Sequence, residues 1–370
     1  MRCNVEIGII GLPQCGKTTV FGALSGGEST ITNSMLNTNK PNLGVAKVHD
    51  PRLNILQDMF NPAKTTPAEV KYIDFPKSQE VNIKSKGISG EYLNYLQRAD
   101  ALLQVVRSFE DPSVPHVEGS IDPFRDISLM DLELSFSDLT ILERRLEKLA
   151  NELKSAKSNE RDIKLKEQMI LSRVKKDLEQ EIPIREQDIS EEEQKIMSNF
   201  QFLTAKPMLI VWNIGENNID NSQIIEDELR SQFARPGVGV VTLSGKIEME
   251  LGIMDMNESN EFREFMGIDE PALDKAIRSS YELLGLISFF TVGSDEVKAW
   301  TIEKDIEASK AAGKIHTDIE RGFIRAEVIS YQNLLDSGSL GAGKKKGLVK
   351  LEGKSYNVRD GDIINFLFNV

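Results

Sequence analysis

Apolar residues along this chain gather in short runs of strand length: Val5–Ile10, Val70–Phe75, Ala101–Val106, Met208–Trp212 and Val238–Leu243. Runs of this length, bounded by polar or glycine-bearing turns, predict strands buried on both faces. Helix-like stretches lie between several of them, which is the alternation of an α/β fold with a mostly parallel sheet. One interval is too long for a crossover helix, because about a hundred residues separate Ala101–Val106 from Met208–Trp212. Within it Leu132, Leu139, Leu142, Leu146, Leu149 and Leu153 recur at steps of three, four or seven, with Glu, Lys and Arg between them. That stripe predicts an amphipathic helix of near-heptad spacing. The polar segment Ser155–Asp162 ends it, and a second helical stretch follows through Val174 and Leu178. Pro183 then interrupts, and the acidic run Ser190–Glu193 has the composition of an N-cap opening a further helix. Residues 131–203 thus read as an antiparallel helical arm, inserted into a domain made of 1–130 and 204–285.

The texture changes after Gly285. Ile287–Val292, Val297–Thr301, Phe323–Ile329 and Ile363–Phe368 read as strands, Glu307–Gly313 as a short helix, and Asp360-Gly361 as the turn before the last strand. Residues 286–370 have the size of a small domain that folds alone. The low-complexity patch Gly338–Gly347 (GSLGAGKKKG) reads as a loop.

Composition narrows the functional classes. The net charge is −13, and from Leu286 onward 12 Lys and Arg balance 12 Asp and Glu, so the rest of the chain carries the whole excess. So acidic a surface argues against wrapping a DNA duplex. Aromatics at 6% are too few for a single-strand stacking platform. The neutral C-terminal part is better suited to touch RNA than its host. Cys3 and Cys15 have neither metal-ligand spacing nor the number for a disulfide framework. With no charged-then-apolar leader and no membrane-length run, the expected compartment is the cytoplasm.

Chemistry enters at Gly11 to Thr18, GLPQCGKT, which follows the apolar run VEIGII and precedes the helical TTVFGAL. In this pattern the glycines let the backbone curl until several N–H groups face one phosphate. Lys17 then reaches the β- and γ-phosphates, the Thr18 hydroxyl meets Mg²⁺, and the following helix offers its positive end. On the base side, Met208–Trp212 leads into Asn213-Ile214-Gly215-Glu216, where GTPases place NKxD. Here the motif lysine is missing and the acid is one methylene longer, so the main guanine discriminator is lost. Ser244-Gly245-Lys246, after Val238–Leu243, fits a second base-side loop.

These motifs occur together with TNKPNLGVAKVHDPRL (38–53), EDPSVPHVEGSIDPFRDI (110–127), SGKIEMEL (244–251) and the run from Glu282 to Val370, which includes AAGKIHTDIERGFIRAEVISY and VRDGDIINFLFNV. Over nearly its whole length the chain resembles the Obg-like ATPase (YchF) family, P-loop proteins related to GTPases that prefer ATP. The resemblance implies an ATP-binding P-loop domain with a coiled-coil arm, followed by a TGS domain, a β-grasp module linked to ribosomes and RNA. It implies that Gly11, Gln14, Cys15, Gly16, Lys17, Thr18 and Thr19 form the phosphate site. Thr18 and Thr38 would ligate Mg²⁺, with Asp74 contacting the ion's water shell. Ile214 would meet adenine through its backbone, among Asn213, Glu216, Ser244, Gly245 and Lys246. His116, in the HVxG segment, would take the place of the water-aligning glutamine of Ras-like GTPases.

Two positions depart from the family pattern. Gln14 stands where the family has Asn, a position linked to a monovalent cation. Asp74-Phe75-Pro76-Lys77 stands where DxxG closes on the γ-phosphate, and neither Pro76 nor Lys77 has the backbone freedom of glycine. The expectation is a slow ATPase, with GTP as a second ligand, acting at the ribosome through the TGS domain and arm. The alternative is a nucleotide-dependent binding module with little or no hydrolysis. A small-molecule kinase is disfavoured by the lack of an arginine-bearing lid.

Overall fold

The computed structural model describes residues 5–25, 41–75, 88, 90–268 and 270–369. From the N-terminus, β1 (Val5–Ile10) feeds α1 (Lys17–Leu24), and β2 (Asn42–Lys47), α2 (Pro51–Phe60) and β3 (Lys64–Thr66) follow. Next come β4 (Glu69–Asp74), α3 (Gly90–Arg98) and β5 (Ala101–Ser108). Two long helices, α4 (Pro123–Leu153) and α5 (Ser158–Leu178), and a short one, α6 (Glu191–Met197), precede β6 (Met208–Ile214). Then run α7 (Ser222–Gln232), β7 (Val238–Leu243), α8 (Gly245–Leu251), α9 (Met256–Phe265) and α10 (Ala272–Leu283). The remainder is β8 (Leu286–Val292), β9 (Glu296–Glu303), α11 (Ala308–Ile315), α12 (Thr317–Arg321) and β10 (Phe323–Ser330), then α13 (Tyr331–Ser337), α14 (Leu340–Lys345), β11 (Lys350–Glu352) and β12 (Asp362–Phe368).

The chain gathers into two compact units, one from the described parts of 6–44 and 72–279, the other from Val5, 45–71 and 280–369. In the first, the sheet has the order β2-β4-β1-β5-β6-β7, and β1, β5, β6 and β7 run parallel. Every residue of β5 from Ala101 to Arg107 is buried, as is all of β6. Parallel strands are covered on both faces, which is why these segments are nearly continuous apolar runs. The carboxyl ends of β1, β5, β6 and β7 point the same way, so the loops that leave them converge on one side.

The arm belongs to this unit. Asp122 caps α4 by accepting the Arg125 N–H at 3.1 Å, and Pro123 fills the first turn. Helices α4 and α5 run antiparallel, since Glu152 pairs with Lys164 (3.2 Å), Arg145 with Glu167 (2.7 Å) and Glu143 with Lys175 (3.3 Å). Between them Leu142, Leu149, Leu171 and Val174 are fully buried, each worth roughly 1.5–3 kcal/mol. Ser190 and Glu193 form a reciprocal capping box at the start of α6. The Asp138 carboxylate, fully buried in α4, fastens the returning chain by accepting the N–H groups of Leu203 (2.9 Å) and Thr204 (2.7 Å) and the Thr204 hydroxyl (2.7 Å).

The second unit holds a mixed sheet of order β11-β10-β12-β8-β9-β3. Pairs β8/β9, β10/β12 and β10/β11 are antiparallel, while β12/β8 and β3/β9 are parallel. Ala308, Ala311 and Ala312 of α11 pack on Phe289 and Phe366, giving the helix-across-sheet arrangement of a β-grasp domain. Segment 45–71 is part of this unit: Leu53 and Leu56 are buried with Phe290, Ala299 and Ile329, and β3 extends the sheet beyond β9. The Arg52 guanidinium lies over the Phe290 ring and pairs with Asp50 (2.7 Å) and Asp360 (2.6 Å). One sequence expectation is corrected. The patch 338–347 is not simply a loop, because Ser339 caps α14 by accepting the Ala342 N–H. Gly343 lies so close to Ile329 that a Cβ there would clash at 2.9 Å, so this one glycine serves packing.

Candidate nucleotide-binding site

The loop after β1 takes the curled path that its sequence predicts. Gly11 (φ 148°) and Gly16 (φ 96°) adopt conformations that L side chains rarely reach, and both lack space for one. A Cβ on Gly11 would lie 2.5 Å from the Val105 carbonyl oxygen, and one on Gly16 would run into the Asn213 amide. Gln14 is left-handed as well (φ 63°), a strained choice for a residue with a Cβ.

This loop forms one end of a cavity of about 1260 Å³, where Gln14, Gly16, Lys17, Thr18 and Thr19 line the wall. Lys17 is buried, and its ammonium donates to the carbonyls of Gly11 (3.0 Å) and Leu12 (2.9 Å). Residues 213–216, Ser244 and Lys246 line the other end. Asn213 ties the ends together: its amide nitrogen donates to the Cys15 carbonyl (3.1 Å), and its oxygen accepts the Gly245 N–H (3.0 Å). Cys15 is buried and contributes that carbonyl from behind the wall. Across the rim, Lys246 donates to Glu216 at 2.5 Å, which holds its ammonium above the ordinary lysine range.

A third stretch of wall, absent from the sequence reading, comes from the loop after β5 with Phe109, Glu110, Asp111, Pro112 and Val114. In the sequence all but Phe109 fall at the start of the 110–127 segment, which carried the family resemblance but no reading as cavity wall.

His116 lies beyond that stretch and does not line the cavity. Its side chain is 4% exposed, and its Nδ1 accepts the Glu118 N–H at 3.1 Å. The ring proton therefore sits on Nε2, which donates to the Asp126 carboxylate at 2.8 Å. The other oxygen of that carboxylate is held by Arg125 at 2.8 Å. Asp74 ends β4 at 1% exposure, with the Asn42 amide 3.5 Å from its carboxylate, and is not among the residues that line the cavity. Thr38, Pro76 and Lys77 lie outside the described residues. Thr18 and Asp74 are hard oxygen donors, the type that Mg²⁺ takes one or two of beside phosphate and water oxygens. Among the described residues no cluster of three or more His, Cys, Asp or Glu is placed to cage a metal by itself. No described helix is long and apolar enough to cross a membrane.

Residues 6–131 match a family model described as a 50S ribosome-binding GTPase, and residues 286–369 match the YchF-GTPase C-terminal model, described as a protein of unknown function. The Ribosome-binding ATPase YchF of Bacillus subtilis (strain 168) is 39% identical over 365 residues, covering 98% of this chain and 99% of that protein. Its Escherichia coli O157:H7 counterpart is 36% identical, with 99% of each covered. Among solved structures, that of the Schizosaccharomyces pombe YchF GTPase superposes with a TM-score of 0.87 at 31% identity, over 99% of this chain and 98% of that one. The chain is therefore a member of the YchF family.

Proposed function

We propose that this protein binds ATP with Mg²⁺ in the cavity between the P-loop and residues 213–216, hydrolyses it slowly to ADP and phosphate, and acts at the ribosome in the cytoplasm. One observation carries the reading: Asn213 fastens the phosphate loop to the 244–246 loop, so that both loops line one cavity. The curled N–H groups of the loop and the positive end of α1 attract phosphate. Lys17 exchanges its carbonyl contacts for phosphate oxygens. Thr18, Thr38 and Asp74 would hold Mg²⁺, which when bound neutralises charge between the β- and γ-phosphates. The Glu216 carboxylate, engaged by Lys246, is a poor acceptor for the donors of guanine, while adenine makes no such demand. This supports ATP over GTP, with GTP as a weaker ligand.

To orient the attacking water, His116 must leave Asp126, and the Arg125–Asp126–His116 contacts hold it back. That stored arrangement supports slow turnover. The names of the relatives support a ribosomal partner, for which the arm at 131–203 and the domain at 286–370 offer surfaces separate from the cavity lining.

Replacing Lys17 by Ala removes a charge-assisted phosphate contact. It should weaken Mg-ATP binding at least tenfold, about 1.4 kcal/mol, in an equilibrium titration. An unchanged affinity contradicts the site. The held-back His116 also favours a second reading, a nucleotide-dependent binding module without hydrolysis. Phosphate release indistinguishable from the protein-free blank, on a sample that binds ATP, selects it.

A further inference from the structure

Arg107 is the charged residue of a strand otherwise made of Ala, Leu, Gln, Val and Ser, and it is 2% exposed. Burying a guanidinium costs several kcal/mol unless its donors are satisfied. Here the partners are main-chain carbonyls. Nε donates to Phe109 (3.1 Å), and Nη2 to Val114 (2.9 Å) and, at longer range, Asp111 (3.4 Å). The guanidinium also lies 4.7 Å from the centre of the Phe109 ring. Nη1 has no hydrogen-bond partner among the described residues.

All three carbonyls belong to one loop, and Phe109, Asp111 and Val114 each line the nucleotide cavity. Phe109 stands between the two ends of the site: a Cβ on Gly215 would lie 3.4 Å from its Cβ, and one on Gly16 would lie 4.0 Å from its ring edge. A planar fork of donors can gather several carbonyls in one fixed geometry, which a lysine ammonium on a flexible stem cannot do. The loop is thus curled around one buried cation, and the same loop leads into His116.

We infer that Arg107 is a positioning residue for nucleotide recognition. Through residues 109–114 it sets the shape of the base-side wall, and so contributes to the preference for adenine over guanine nucleotides. Its charge lies behind a cavity suited to a polyanion, which favours either triphosphate equally. The selectivity therefore comes from the shape it imposes on the loop. The inference rests on the nucleotide reading of this cavity.

The test uses the full-length chain with Arg107→Lys, which keeps the charge and loses the fork, and Arg107→Gln, which keeps two donors and removes the buried charge. Mg-ATP and Mg-GTP affinities are measured on samples shown by thermal melting to unfold cooperatively, beside wild type and Lys17→Ala. A residue that only stabilises the core would lower the melting temperature and leave the ATP:GTP affinity ratio alone. The expected result is a ratio at least threefold closer to one in the folded variants. A smaller change, or a wild type that binds both nucleotides equally, overturns the inference. If neither variant folds, Arg107→Met, which fills the buried site with an apolar chain and removes every donor, decides by the same ratio. If Lys17→Ala binds nucleotide like wild type, the reading of the cavity has failed and takes the inference with it. If Lys17→Ala loses binding while the ratio holds in the Arg107 variants, the inference alone has failed.

Discussion

Gln14 turns left-handed at φ 63° within a loop whose other turns are made by glycine. Asn, the residue that the family resemblance leads one to expect here, tolerates that region better than other residues with a Cβ. The residues proposed for the phosphate side stand out in the sequence because that chemistry needs them consecutively, between a strand and a helix. Arg107 was not legible, since its partners are backbone carbonyls and a carbonyl carries no residue signature. The hold of Asp126 on His116 was equally hidden, because it depends on how 109–122 folds back on α4. Asp138 provides a residue-scale prediction. Burial pushes its carboxyl up to about 6 from an ordinary 3.8, against the hydrogen bonds from Thr204 and Leu203. The folded protein therefore binds this proton more tightly than the unfolded chain. The stabilisation is fully present below 3.8 and is lost as the pH rises through about 6, roughly 3 kcal/mol at most. In urea unfolding, the stability of wild type relative to Asp138→Asn should grow as the pH falls from 7 towards 4. A difference that stays flat across that range contradicts the assignment.

Among the elements, the helical arm was readable because the leucine stripe repeats over several turns, and Leu142 and Leu149 are indeed sealed against α5. Helix α14 was missed because glycine-rich composition masks a Ser339 cap and a glycine chosen for close packing. The larger omission is α2 with β3. Lys64–Thr66 is too short to show alternation, and its partner β9 lies more than two hundred residues later, so no local pattern reveals the pairing. A boundary placed at 286 by composition leaves out Leu53 and Leu56, whose burial is worth about 3 to 6 kcal/mol together. A fragment of residues 280–370 should therefore be weakly stable alone, and a peptide of residues 45–71 added in trans should raise its urea midpoint. An equal midpoint with and without the peptide means that β3 and α2 only decorate the unit.

For the whole molecule, the fold class and the family follow from motifs spread over both units, and the relatives match it from end to end. What the chain does with the γ-phosphate is set by fewer residues, and those were the hardest to read. Lys77 stands where the resemblance leads one to expect a switch glycine, and His116 is held by the Asp126 carboxylate. Base choice is the point at which the account commits most, because Glu216 replaces the guanine-reading aspartate and is engaged by Lys246. A site built to satisfy the donors of guanine would discriminate strongly in its favour. The most direct measurement is a pair of equilibrium titrations of the full-length protein with Mg-ATP and Mg-GTP, followed by phosphate release on the same sample. The account predicts that ATP binds at least as tightly as GTP and that phosphate is released slowly. A GTP affinity a hundredfold above that for ATP contradicts it.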